Sequence, residues 1–230
     1  MKLKTLASSS AGNCHVLTSN SGKHLIIEAG IPVPEIKRGI DFDVGNVEAV
    51  IASHCHHDHS LSCNKLRNAG LKVWEPYTYQ LSKVQRTRFG EFDVSCFDLP
   101  HNGVENRGFL IRGDGITICY LCDLEYCEWD LSNKGINVLM VECNYIEELV
   151  DEQAENYKHK VLGHCSLDTC IGIIKANQKH LRTVELLHMS NSGSFDREKA
   201  MERIKAEIPP YIEVVYAAKD LEIILDECPF

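Results

Sequence analysis

Four side chains able to hold a cation, His54, His56, Asp58 and His59, fall within the single stretch His54-Cys55-His56-His57-Asp58-His59. Imidazole and carboxylate are borderline-to-hard donors that suit zinc, and also manganese or iron. Alternate residues of an extended segment project to one side, so His54 and His56 can face one ion. The turn that follows can swing Asp58 and His59 toward a second, and His57 between them should point away. Ionisable groups packed this densely behind an apolar strand are costly to bury without a shared cation. One short loop can thus feed two adjacent metals, whose chemistry is water activation and charge neutralisation at neutral pH.

Such a loop needs a rigid support, and the flanking sequence supplies short apolar runs. Lys2 to Ala7, Cys14 to Thr18 and His24 to Glu28 read as a meander, separated by turn-rich Ser8–Asn13 and Ser19–Lys23. Pro34 suits the first turn of a short helix ending near Gly39. Val47 to Ala52 is a strand leading into the histidine loop, and a helix is expected from Ser60 with Leu61, Leu66 and Ala69 buried. Leu71 to Trp74 and Phe92 to Phe97 are expected strands, with Tyr77 to Val84 a helix between them. Phe109 to Arg112 and Ile116 to Leu121 flank the hairpin turn Gly113-Asp114-Gly115. Ile136 to Val141 and Val184 to Leu187 read as buried strands, and Tyr211 to Tyr216 and Leu221 to Leu225 as closing strands. Helices are expected at Tyr145 to Tyr157, after a Ser166 cap, and at Phe195 to Ile208. The pattern predicts an α/β fold, an αββα four-layer sandwich, as one domain over residues 1–230.

The His-x-His-x-Asp-His loop resembles the HxHxDH motif of the metallo-β-lactamase superfamily, and further positions resemble that family's motifs in order. By that resemblance His101, Asp123 and His188 are ligands as well. One ion would take His54, His56, His101 and Asp123, and the other Asp58, His59, Asp123 and His188, with a bridging hydroxide between them. Ser8-Ser9-Ser10-Ala11-Gly12-Asn13-Cys14 resembles the SSSxGN opening of a bacterial and phage branch that includes exonuclease-like proteins of the WalJ/YycJ type. Gly163-His164-Cys165-Ser166 resembles a motif of that branch and of transfer-RNA 3′-processing enzymes.

These resemblances imply a two-metal phosphodiesterase, with zinc the default cofactor and manganese the alternative. Phosphodiester cleavage needs a nucleophile, charge neutralisation and help for the leaving oxygen. His164 is the candidate for the last role, since imidazole titrates near neutral pH; with Asp58 it forms the candidate catalytic pair. Three departures are visible. Glu28 stands where family members commonly have Asp, Ser62 where a glycine is usual, and Glu142-Cys143-Asn144-Tyr145 is all that matches an ESNHD-like segment.

A net charge of −9 and no visible basic stripe lean toward a small substrate, and the resemblance to a phage-encoded branch that degrades cyclic nucleotides implies a cyclic nucleotide rather than a nucleic-acid end. A 5′-exonuclease-like nuclease on DNA or RNA ends is the main alternative, and a glyoxalase II-type thioester hydrolase the next. The eleven cysteines, mostly in apolar runs, read as reduced thiols rather than a disulfide framework. A zinc site of Cys119, Cys122 and Cys127 is a weaker alternative, since no second CxxC accompanies it. The absence of a signal-like start and of any membrane-length apolar run points to a cytoplasmic protein without a membrane partner. A homodimer is the expectation drawn from the resemblance.

Overall fold

The computed structural model describes residues 1–78, 84–190 and 193–226. The N-terminal sheet is built from β1 (Lys2–Ser9), β2 (Gly12–Thr18), β3 (His24–Ile27), β4 (Val47–Ile51) and β5 (Val73–Trp74). A second sheet follows with β6 (Val84–Phe89), β7 (Phe92–Leu99), β8 (Asn106–Gly113), β9 (Ile116–Leu121), β10 (Val138–Glu142), β11 (Thr183–Leu187) and β12 (Glu213–Tyr216). The last strand, β13 (Leu221–Ile224), returns to the first sheet and pairs with β1. The orders are β13-β1-β2-β3-β4-β5 and β12-β11-β10-β9-β8-β7-β6.

Burial explains which runs become which strands. β9, β10 and β11 lie parallel in the middle of the second sheet and are buried along their whole length, so β9 and β10 read as nearly unbroken apolar runs, while β11 buries Glu185 among its apolar residues. Between the sheets Leu3, Leu17, Ile27 and Ile51 meet Phe92, Phe109, Ile118 and Met140. Outside the first sheet, α1 (Val33–Gly39) and α3 (Cys63–Asn68) bury Ile36, Cys63 and Leu66 against Val16, Ile26 and Val50. Outside the second, α5 (Leu167–Asn177) and α6 (Arg197–Glu207) bury Ile171, Ile174 and Ile204 against Leu139, Val141 and Val184. Two sheets flanked by helices make the expected αββα sandwich. Ser166 caps α5 by accepting from the Thr169 amide at 3.2 Å, and Asp196 caps α6 from Glu198 and Lys199. No helix among the described residues is long and apolar enough to cross a membrane.

Several local expectations are corrected. The helix placed from Ser60 begins earlier, as α2 (His57–Ser60) inside the histidine loop, and breaks before α3. Ser62 causes the break: its amide donates to Ala29 O at 2.9 Å and its hydroxyl to Ile31 O at 2.7 Å. Leu61 is therefore only half-buried and Ala69 is exposed. The helix over Tyr145–Tyr157 does not form. Tyr145 O and Ile146 N are already engaged by Leu167 and Ser194, leaving one 3₁₀ turn at Glu147–Leu149 before α4 (Tyr157–Gly163). Of the helix expected at Tyr77–Val84, Tyr77 lies in a 3₁₀ turn and Val84 opens β6, while residues 79–83 lie outside the described residues. The Ser8–Asn13 turn is tighter than expected, because the hairpin pairs Ser8 with Asn13 and Ser9 with Gly12.

Candidate metal centre

Five of the seven potential ligands sit just beyond the carboxyl ends of strands, and Asp58 and His59 lie on α2. His54 and His56 follow β4, His101 follows β7, Asp123 follows β9 and His188 follows β11. Asp123 (φ 52°), His188 (φ 49°) and Glu28 (φ 64°) adopt left-handed backbone conformations that side-chain-bearing residues rarely take. Strain of this kind persists where the surroundings hold it, and it clusters at functional sites. At His188 the grip is visible. Its amide donates to Ser8 Oγ at 3.0 Å, and Asn144 Nδ2 donates to its carbonyl at 2.8 Å.

The candidate ligands converge in two groups that share one carboxylate, and Asp123 and His188 also form a third cluster with Glu142 and His164. In the first, His56 Nδ1 lies 3.0 Å from His54 Nε2 and 3.2 Å from His101 Nε2. Asp123 Oδ2 is 3.4 Å from His54 Nε2 and 3.8 Å from His101 Nε2. In the second, His59 Nε2 stands 3.5 Å from Asp58 Oδ2 and 3.4 Å from the same Asp123 Oδ2, and His188 Nε2 stands 3.3 Å from Asp58 Oδ2. A tetrahedral ion with zinc-like bond lengths separates its donors by about 3.3 Å, so both groups have the spacing that a divalent cation requires. His101 is also set in the right tautomer: its Nδ1 donates to Gly163 O at 2.6 Å, which leaves Nε2 bare for a ligand role.

Electrostatics point the same way. Burial pushes the His54 imidazole down to about 3, so it is neutral and able to ligate. Burial also works against protonation of His188, but Asp123, Asp58 and Glu142 outweigh it and raise the ring to about 10. His59, wholly buried, is raised as well because Asp123 and Glu28 overcome its desolvation. The carboxylates of the cluster thus draw protons onto neighbouring histidines, which is the demand for positive charge that a divalent cation meets.

Other residues of the site carry little local signal in sequence. Glu28 accepts from the Ser53 amide through both oxygens at 3.2 Å and stands 3.4 Å from His59 Nδ1, so the longer side chain still orients a candidate ligand. Asn13 Nδ2 reaches Asp58 O at 3.2 Å and His59 Nε2 at 3.0 Å, tying the Ser-rich hairpin to the histidine loop. Glu142, fully buried at the end of β10, accepts from the Leu124 and Cys165 amides and from His164 Nδ1 at 2.6 Å. His57 and His180 are exposed, and His159, also exposed, brings its ring to 5.5 Å from that of His164. His15 and His24 are buried, each hydrogen-bonded to a threonine hydroxyl. Cys119 and Cys122 are packed in the core, and among the described residues no cysteine joins a group able to hold a metal. Glu28→Gln, which keeps the shape and removes the charge behind His59, is expected to weaken metal affinity about 10- to 100-fold, measured by chelator competition.

Residues 38–189 match the family model of the Beta-lactamase superfamily domain, more than half of the chain. The fold is similar to that of the metallo-β-lactamase fold protein YhfI from Bacillus subtilis, at TM-score 0.73 and 17% identity over 96% of this chain and 98% of that one. It is also similar to the short form of human tRNase Z, at 0.67 and 16% over 98% and 100%. A diphosphatase of the PhnP family gives 0.61 and 14% over 96% of both chains. No curated protein sequence matches the chain. With the family model spanning the stretch that supplies His54 through His188, the chain belongs to the β-lactamase superfamily of metal-dependent hydrolases.

Proposed function

We propose that the protein is a two-metal phosphodiesterase acting on a small nucleotide, with a cyclic nucleotide as the preferred substrate class. The observation that carries this reading is the placement of His164. Its ring stacks on His188 with centroids 5.3 Å apart and planes inclined by 13°, and it lies 5.7 Å from His101. Its Nδ1 is committed to the buried Glu142 carboxylate, so Nε2 is the edge left for a substrate. Burial alone would strip the proton from this ring, but Glu142 and Asp123 outweigh it and raise its pKa. A charged imidazole beside the donor cluster is suited to contact a phosphoryl oxygen and to pass its Nε2 proton to the leaving oxygen as the P–O bond breaks.

His54, His56, His101 and Asp123 would hold one cation, and Asp58, His59, Asp123 and His188 the other. Zinc is favoured by the nitrogen-rich first group and manganese is accommodated by the carboxylates of the second. When bound, two such ions neutralise phosphoryl charge and supply a nucleophilic water at neutral pH. Asp58, with its side chain 19% exposed against 3% for Asp123, is the carboxylate of the cluster best placed to orient that water.

Charge around the mouth favours a small substrate. A cleft of about 590 Å³ runs past His101 and is lined by Asp98, Glu105, Glu125 and Glu128. The cationic Arg107 beside them is held by Asp98 at 2.9 Å and Glu105 at 2.8 Å. A polynucleotide trailing along this wall would bring its phosphates against carboxylates. The test is to give zinc- or manganese-loaded protein a 3′,5′-cyclic mononucleotide, an end-labelled DNA duplex and a glutathione thioester in parallel. Ring opening alone supports the proposal. DNA shortening would move the protein to the exonuclease-like reading, and thioester cleavage alone would overturn the phosphodiesterase assignment. His164→Ala is expected to lower kcat by about 10²–10⁴ with metal content unchanged.

A further inference from the structure

A second pocket, of about 200 Å³, is lined by His164, His188, Asn144, Asn156, His159 and Lys160. Its character is the reverse of the acidic cleft. Lys160, on α4, is only 9% exposed, yet its ammonium faces polar atoms rather than apolar ones. Nζ donates to Ser190 Oγ at 3.0 Å and to Ser194 Oγ at 2.7 Å. The arrangement places Lys160 in the wall of a cavity that also contains two groups of the candidate centre, His164 and His188. Lysine is a point-charge donor for phosphate, and serine hydroxyls and asparagine amides can add hydrogen bonds to the same oxygens.

We propose that Lys160 and Ser190 form an anion subsite that binds phosphate oxygens of the substrate beside the metal centre. The inference rests on the phosphodiesterase reading and adds a direction to it: the anionic end of the substrate lies toward α4, and the uncharged end lies along the acidic cleft. Two sources of such oxygens share this chemistry, the scissile phosphodiester itself and a terminal phosphate on the same nucleotide.

Lys160→Met keeps most of the alkyl stem and removes the charge. In the metal-loaded protein it is expected to raise KM about tenfold with little change in kcat, and Lys160→Arg should recover most of the loss. Three substrates separate the sources: a 3′,5′-cyclic mononucleotide and a linear dinucleotide with or without a 5′-phosphate. A KM effect on all three assigns the subsite to the scissile group. An effect confined to the 5′-phosphorylated dinucleotide assigns it to a terminal phosphate.

Titration with inorganic phosphate gives a readout independent of turnover, and Lys160→Met should weaken it about tenfold as well. Equal phosphate affinity in wild type and Lys160→Met overturns the subsite. Loss of phosphate affinity in a protein that cleaves no phosphodiester leaves the subsite standing and removes the functional reading instead. If Lys160→Met fails to fold, as judged by its melting curve, Ser190→Ala carries the same titration by deleting one hydroxyl. Phosphate affinity unchanged in a folded Ser190→Ala protein then overturns the proposal.

Discussion

Asp123→Asn is expected to bind fewer than two divalent ions per chain and to lose about a thousandfold or more in hydrolysis. The expectation follows from one atom. Asp123 Oδ2 lies within 3.4 Å of both His54 Nε2 and His59 Nε2, so it belongs to both donor groups at once. Asparagine fills the same volume and can adopt the left-handed conformation that Asp123 occupies, which isolates charge from shape. Losing a shared anionic donor removes several kcal/mol of cation binding and charge stabilisation, and each 1.36 kcal/mol is about tenfold in rate. Elemental analysis and a turnover assay on the same preparation check it. An Asp123→Asn protein with a full complement of metal would show that the two donor groups are independent.

The largest effect on stability is expected at a residue with no chemistry of its own. A Cβ on Gly30 would stand 1.6 Å from Asp58 O and 2.8 Å from Asn13 N. Both neighbours are backbone, and both are fixed: Gly30 N donates to Asn13 O at 2.9 Å, and Ala29 N to His59 O at 2.8 Å. Gly30→Ala must therefore push the Asp58–His59 turn outward, at a cost of about 3 kcal/mol or more. It should also lower metal occupancy, because Asp58 and His59 move together. Gly172→Ala serves as its control. Gly172 lies inside α5 with nothing within 4 Å of an added Cβ, and alanine there should stabilise by about 0.5–1 kcal/mol. Denaturant midpoints and metal content of the two variants separate these outcomes, and unaltered stability in Gly30→Ala would refute the packing argument.

Strands that are mostly apolar, such as β9 and β10, were readable from composition alone because both their faces are buried. β6 was not. It alternates exposed and half-buried positions, and only its last residue, Phe89, is buried, so its pairing with β7 had to substitute for an apolar signal. The missing helix at Tyr145 has the same origin, since its sequence is helix-compatible but its backbone is claimed by Ser166, Leu167 and Ser194. At the site, the dense His54–His59 loop announces itself, whereas Asn13 and Glu142 come together with it only through tertiary contacts. Glu142 did leave one trace: a carboxylate ending the apolar strand Val138–Glu142 needs a partner.

Apart from Asp58 and His59 on α2, each candidate ligand follows the carboxyl end of a strand, and β9, β10 and β11 are parallel, so Asp123, Glu142 and His188 emerge side by side. The opposite ends of those strands, near Gly135 and His180, carry none of the donors. Division of labour between the two ends has an evolutionary consequence. Segments 102–105 and 150–162, which shape the acidic cleft and the Lys160 pocket and hold none of the candidate ligands, can be exchanged for others while the strands keep the ligands in place. Descent can then alter what is hydrolysed at the rate at which surface loops change, without ever passing through a chain that has lost its means of hydrolysis.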